Sequence, residues 1–380
     1  MKRALLLSAL TISLLGFKSS KTSFEKPDLY NKYGIFDHQI NIGDPAIRGT
    51  VAYNPESQEY TIEGSGFNMW SGNDEFQYLY KSIQGDFILR ARIRFVGEGV
   101  DPHRKIGWIV RNNLRGDSPH VNASIHGDGL TSLQYRKETG SETEQVVSTD
   151  EAPDVVQLER RGGVYYMSTA KFGQPFTTVE LTDVNLRNEV FVGLYVCSHN
   201  PEVMEKAVFS NVRIIKPAAP DFQPYRDYIG SNMEIMNVET GNRKLLFTSA
   251  HSIQAPNWVN QNQELVFNSN GFLYRYTFET DEISQINTGF AVNNNNDHVF
   301  SFDETILGIS NHNQEDDGRS SIYLMNPAGD SLPKKVTKDG VGVSYLHSIS
   351  PDNQRIIFTA NARENLIFMV WIWPLGKKSN

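Results

Sequence analysis

The chain has 380 residues, 39% of them hydrophobic and 11% aromatic, and its 36 basic and 44 acidic side chains give a net charge of −8. At about 150 residues per domain this is room for roughly two and a half domains with ordinary apolar cores, which excludes wholesale disorder. The acidic balance argues against general affinity for nucleic acid or anionic lipid, and the lone Cys197 excludes an internal disulfide and a Cys-built zinc or iron–sulfur centre.

Lys2 and Arg3 precede a mostly apolar run over 4–17, which gives way to Lys18, Ser19, Ser20 and Lys21. A basic start and an apolar stretch shorter than the ~20 residues of a membrane-spanning helix have the pattern of a secretory signal peptide. Residues 1–20 are therefore expected to be a signal, exporting the protein to the periplasm or the extracellular space, with no membrane span in the mature chain. An uncleaved anchor is the competing reading, because no Ala-x-Ala stands near residue 17.

From residue 85 the chain reads as strands and turns. Residues 87–95 alternate, with Phe87, Leu89, Ala91, Ile93 and Phe95 on one face and Arg90, Arg92 and Arg94 on the other, the period of a half-buried strand. Shorter strands follow at 106–111, 121–125, 131–136, 155–160, 164–170, 189–196 and 207–215, separated by glycine-bearing turns. Many short strands without an amphipathic helix predict a β-sandwich or jelly roll over 28–216. Pro217, Pro220 and Pro224 then mark a Pro-rich linker over 217–224.

Over 225–380 one pattern recurs. Segments 258–267, 300–309 and 349–358 align without gaps, with large apolar residues at the first, eighth and tenth positions and spacings of 42 and 49 residues. A second strand-like element recurs at 233–238, 273–278 and 321–325. A period in the forties with several strands per unit is that of a β-propeller blade; the stretch holds about three blades, where closed rings use about four to eight. The apolar run at 368–375 falls outside the blade pattern. The expectation is a truncated propeller, or one closed by a second copy in a homodimer. The predicted fold class is all-β: an N-terminal β-sandwich or jelly roll followed by a partial, about three-blade β-propeller.

The repeats resemble the TolB-like propeller of Tol-type biopolymer transport, whose blades carry a Trp-Ser-Pro-Asp-Gly-Lys turn. Ile349-Ser350-Pro351-Asp352-Asn353-Gln354 is the fullest copy, and the one at Trp258 keeps the aromatic but lacks Pro and Asp. Residues 85–215 resemble the concanavalin-A/laminin-G-like jelly rolls of secreted carbohydrate-associated proteins. Gly85-Asp86-Phe87, Gly107-Trp108, Leu158-Glu159-Arg160, Val192-Gly193-Leu194-Tyr195 and Phe209-Ser210-Asn211-Val212 carry that likeness, in this order. Together the resemblances imply an exported protein that engages a glycan or other biopolymer through the jelly roll, and partners such as envelope proteins through the propeller.

Catalytic patterns are thin. Gly64-Ser65-Gly66 lacks the spacing of a serine-hydrolase elbow, and no strand carries two acids placed to flank a sugar as a glycosidase requires. The expectation is a non-catalytic binding protein, with no catalytic residue assigned. The alternatives are a secreted glycoside hydrolase or lyase, and a purely protein-binding envelope component. No histidine pair has metal-ligand spacing. Asp117 and Asp128 bracket a strand on which His120 and His126 share a face. Such loop oxygens could take calcium, whereas the plainer reading is a hydrogen-bonded hairpin, and no cofactor is expected.

Sugars are held by an aromatic face and by planar hydrogen bonders. That makes Trp70, Asp74, Arg111, His120, His126, Asp128, Arg136 and His199 the ligand-binding candidates, while Trp108, alternating with Ile106 and Val110, reads as core. His298 and His347 each stand two residues before a blade's first anchor, Phe300 and Ile349. Equivalent positions would aim both at one rim of the propeller channel, as ligand contacts or as polar groups closing blade contacts.

Overall fold

The computed structural model describes residues 22–28, 31–224, 226–338, 341–362 and 365–372; the expected signal, 1–20, lies outside them. The described residues are strand and turn apart from one 3-10 turn, Gln314–Asp316, and among them no helix is long and apolar enough to cross a membrane. The chain divides into two compact units, Phe24–Ile253 and Gln254 onward.

The first unit is built on two seven-stranded antiparallel sheets. The first sheet runs, in spatial order, Glu144–Val147, Thr131–Arg136, His120–His126, Lys105–Arg111, Glu189–Cys197, Phe76–Gln84 and His38–Ile42. The second runs Thr177–Leu181, Val164–Ala170, Val155–Arg161, Phe87–Val96, Glu205–Ile215, Glu59–Gly64 and Thr50–Asn54. Consecutive strands run side by side at one end of each sheet, but Lys105–Arg111 neighbours Glu189–Cys197 and Phe87–Val96 neighbours Glu205–Ile215, the crossing order of a jelly roll. Phe87, Leu89, Ala91 and Ile93 of the second sheet meet Ile106, Trp108, Val110 and Leu194 of the first in one core, where Trp108 is fully buried. On the opposite face Arg90 donates to Gln157 at 2.7 Å and the Arg92 guanidinium stands 4.2 Å above the Phe172 ring. Arg90 is thus held by its own sheet, whereas Arg92, beside the Phe172 turn, also donates to the Thr240 carbonyl at 2.5 Å.

This unit continues past the Pro-rich 217–224 segment. Ser231–Met236 and Arg243–Ser249 form a small sheet with Phe24–Glu25. Gln58 exchanges two hydrogen bonds with the Leu245 backbone, at 2.8 and 2.9 Å, and Arg213 pairs with Glu234 at 2.8 Å. The element read at 233–238 as a repeat strand is therefore bonded to the sandwich.

The second unit stacks three antiparallel sheets. Gln254–Val259, Glu264–Ser269, Phe272–Thr277 and Glu282–Gln285 form the first, and Asn294–Phe300, Leu307–Asn313, Arg319–Met325 and Lys334–Lys335 the second. Ser344–Ile349, Arg355–Ala362 and Asn365–Ile372 form the third. Val266, Leu273, Leu307 and Ile309 pack the first two together, and Ile322, Leu346, Ile356 and Phe358 the next two. This is the face-to-face meander packing of propeller blades. Each aligned segment contains the turn between the first and second strands of its sheet. Its fifth position is left-handed every time, with φ of 67° at Asn262, 55° at Glu304 and 57° at Asn353. The TolB-like motif has glycine there, which takes this conformation without strain. The apolar run at 368–375 is, over its described part, the third strand of the last sheet, in register with Arg355–Ala362. The blade pattern therefore includes residues the sequence reading left outside it.

Candidate functional site

Strand register builds the site. Lys105–Arg111 pairs with His120–His126 so that Lys105 stands opposite His126 and Arg111 opposite His120, while Cys197 lies opposite Lys105 on the other side. Ile106, Trp108 and Val110, with Val121, Ala123 and Ile125, enter the core between the sheets. The alternate set, Lys105, Gly107, Ile109 and Arg111 with His120, Asn122, Ser124 and His126, faces away from that core. It is nevertheless buried, because residues 66–75 and their neighbours cover it. Ser198 Oγ donates to the Gly66 carbonyl at 3.3 Å, Thr143 N–H to the Trp70 carbonyl at 2.9 Å, and Asp74 N–H to the Gly116 carbonyl at 2.9 Å. At Gly107 a Cβ would overlap the Ala123 carbonyl oxygen, so this strand approaches its neighbour too closely for a side chain.

At one end of the strand pair sits an ion cluster. Arg111 donates to Asp74 at 2.5 Å and Arg136 at 2.6 Å, and His120 Nδ1 stands 3.6 Å from the same carboxylate. Burial pushes the Asp74 carboxyl up, but the adjacent guanidiniums and His120 outweigh it and hold the pKa below the ordinary range. Burial pushes the His120 imidazole down to about 3. All four side chains are 0% exposed, and Arg136 also donates to the Ser71 carbonyl. Here the sequence expectation is corrected. Asp74, Arg111 and Arg136 fasten residues 66–75 to the sheet, His120 is packed beside them with neither ring nitrogen hydrogen-bonded, and all four are closed to solvent.

At the other end is a pocket of about 280 Å³, lined by Asn68, Trp70, His103, Lys105, His126, Leu130, Gln145 and His199. Three candidates meet here: Trp70, 36% exposed; His126, 6% exposed; and the partly buried His199. Lys105, 2% exposed, donates to Asn68 Oδ1 at 3.1 Å and faces His199 Nδ1 at 3.5 Å. The Gln134 amide nitrogen stands 3.1 Å from His126 Nε2, and His126 Nδ1 has no hydrogen-bond partner. The His103 ring meets His126 and His199 edge-on, at 5.9 and 5.4 Å. Burial lowers the pKa of Lys105 and of His199, and takes His126 down to about 3. Cys197, next to Lys105 in the sheet, is fully buried with its thiol pushed up to about 11 by desolvation, which leaves it inert as a nucleophile.

Asp128 is exposed in the turn after His126 and accepts the Leu130 N–H at 3.0 Å, outside the pocket lining. Asp117 pairs with Arg115 at 2.6 Å, and among the described residues no three His, Cys, Asp or Glu side chains stand together as metal ligands. Sequence reasoning misses Asn68, His103, Lys105 and Gln145. A signal for Lys105 exists: it shares strand parity with Arg111 and opposes Trp108 in facing.

In the second unit His298 is 3% exposed, and burial pushes its imidazole down to about 4. His347 is exposed, 3.2 Å from Thr359 Oγ1. The register of its strand shifts between Leu346 and Ser348, so His347 is the bulged residue. Equivalent sequence positions therefore give one buried and one exposed ring, and the two do not share a surface.

No protein-family profile matches the chain. An uncharacterized protein of Agrobacterium fabrum is 34% identical over 129 residues, covering 34% of this chain and 42% of that protein. The chain thus spans less than half the length of this curated relative. Among solved structures, a putative TolB from Agrobacterium tumefaciens is 29% identical over 37% of this chain and 50% of its own, with a TM-score of 0.34. A functionally unknown Saccharomyces cerevisiae protein matches 48% of this chain and 97% of its own at 16% identity and TM-score 0.38. Lectin II from Ulex europaeus matches 46% and 96% at 9% identity and TM-score 0.31.

Proposed function

We propose that the first unit binds one saccharide residue of a glycan in the pocket beside Trp70, holding it without cleaving it. The observation that carries this reading is the lining itself. A partly exposed indole, two carboxamides and three imidazoles surround about 280 Å³, near the lower end of the ~300–1,000 Å³ of small-molecule pockets. An aromatic face for C–H groups beside planar hydrogen bonders is the chemistry that distinguishes a sugar from an apolar ligand. No Asp or Glu is among the lining side chains, where a glycosidase would use a pair.

The test is calorimetric titration of the full chain with a panel of neutral and acidic oligosaccharides, followed by mass analysis of the recovered sugar. At least one should bind, Trp70→Ala should weaken it about tenfold or more, and the sugar should return intact. A panel without any binder, or a Trp70→Ala protein that binds as well as the original, overturns the reading. Released fragments would replace binding by hydrolysis. Export through residues 1–20 belongs to the same proposal and is checked by sequencing the N-terminus of protein recovered outside the cytoplasm. For the blade-like unit we propose contact with envelope proteins.

A further inference from the structure

We propose that this pocket selects an acidic sugar, and that Lys105 receives the carboxylate of a single hexuronate residue; this rests on the saccharide reading above. The polar ends that line the pocket are nearly all donors. Asn68 Oδ1 already accepts from Lys105 and from the Met69 N–H at 2.7 Å, which leaves its NH2 as the uncommitted end. Gln145 Oε1 lies 3.5 Å from the Gln134 amide nitrogen, leaving Gln145 the same way. Because an amide nitrogen only donates, His126 Nε2 accepts from Gln134 and the neutral ring carries its proton on Nδ1, the atom with no partner. His199 Nδ1 faces the Lys105 ammonium, so its proton sits on Nε2. The Trp70 indole is a donor as well.

Lys105 supplies the charge. It is 2% exposed, and among the described residues no carboxylate pairs with it. Asp101 and Asp128 of the flanking loops are committed to the N–H groups of His103 and Leu130, at 2.7 and 3.0 Å. Asp101 and Asp74 act on Lys105 only through space; a buried cation with no carboxylate in direct contact is costly, and an arriving carboxylate supplies that contact. A net charge of −8 disfavours a long anionic tract. The site therefore fits one charged residue or a chain end rather than a polyanion laid across the surface.

Titrating the full chain with galacturonic acid, trigalacturonate, galactose, galactotriose and sodium acetate tests this. The acids should bind about tenfold or more tighter than their neutral counterparts, and Lys105→Met should bring that ratio near one. Without ligand, Lys105→Met should melt no lower than the original protein, because it removes an unpaired buried charge. If it fails to fold, Lys105→Gln, which keeps a donor but removes the charge, should cut the same ratio. Equal binding of acidic and neutral sugars, or an acid preference that survives Lys105→Met, overturns the inference while leaving saccharide binding intact. Acetate binding with no sugar bound overturns both.

Discussion

Replacing Asp74 by Asn tests the ion cluster at its centre. The substitution keeps the side chain's shape and removes only its charge. Arg111 and Arg136, now 2.5 and 2.6 Å from the carboxylate and 0% exposed, would then be two buried cations with no counter-charge. Breaking a buried pair in this way costs about 3–5 kcal/mol, a large share of the ~5–15 kcal/mol that holds a typical domain. With a urea slope of ~1–3 kcal/mol per molar, the midpoint should fall by about 1 M or more. Hydrogen exchange along Lys105–Arg111, followed through the urea series, assigns the loss to the first unit. The companion variant Asp74→Leu/Arg111→Met/Arg136→Leu removes charge and counter-charge together and should be more stable than Asp74→Asn alone. A midpoint shift under about 0.3 M for Asp74→Asn, or a triple variant weaker than it, would refute the reasoning.

Acid should destabilise the first unit well before Asp74 titrates. His120 and His126 have folded pKa values of about 3 against ~6.5 unfolded, so their neutral burial favours folding above pH 6.5 and that advantage fades as pH falls toward 3; at pH 5 each costs about 2 kcal/mol. Denaturation midpoints at pH 7.5 and 5 should show that fall, and His120→Gln/His126→Gln should flatten it; an unchanged slope counts against it. Gly193→Ala would drive a Cβ into the Leu79 carbonyl oxygen and to 2.8 Å from the Tyr78 ring, costing about 1–3 kcal/mol in thermal unfolding; a neutral result would mean the strands can separate. At Asn353, φ 57°, glycine should be tolerated within about 0.5 kcal/mol whereas valine should lose about 1–2 kcal/mol; equal melting of the two variants would contradict the left-handed turn.

The fold was largely legible because its strongest strands carry a strict parity. Phe87–Val96 alternates in the sequence and in its burial, and the parity of Ile106, Trp108 and Val110 places Trp108 in the core. The same logic failed for the other face of Lys105–Arg111 and His120–His126. Polar residues at alternate positions read as solvent-facing, yet residues 66–75 roof them. That cover is a tertiary event: Asp74 meets Arg111 and Arg136 across 37 and 62 residues of chain, beyond any local pattern. Trp70, His126 and His199, read from the sequence as candidates, do line one pocket. Lys105 carried only its strand parity as a signal, and Asn68 carried none, because register brings Lys105 opposite His126 and the roof brings Asn68 to Lys105.

The roof over the first sheet has a further consequence for how this pocket can change over time. One short segment holds both the fastening residue, Asp74, and two of the walls, Asn68 and Trp70. Substitutions at 68 and 70 can change the pocket wall while the bolt at 74 keeps the frame in place. An insertion between 70 and 74 would instead move wall and bolt relative to each other and forfeit both. The pocket wall is therefore open to point substitution, whereas the length of this stretch is constrained by the ions beneath it.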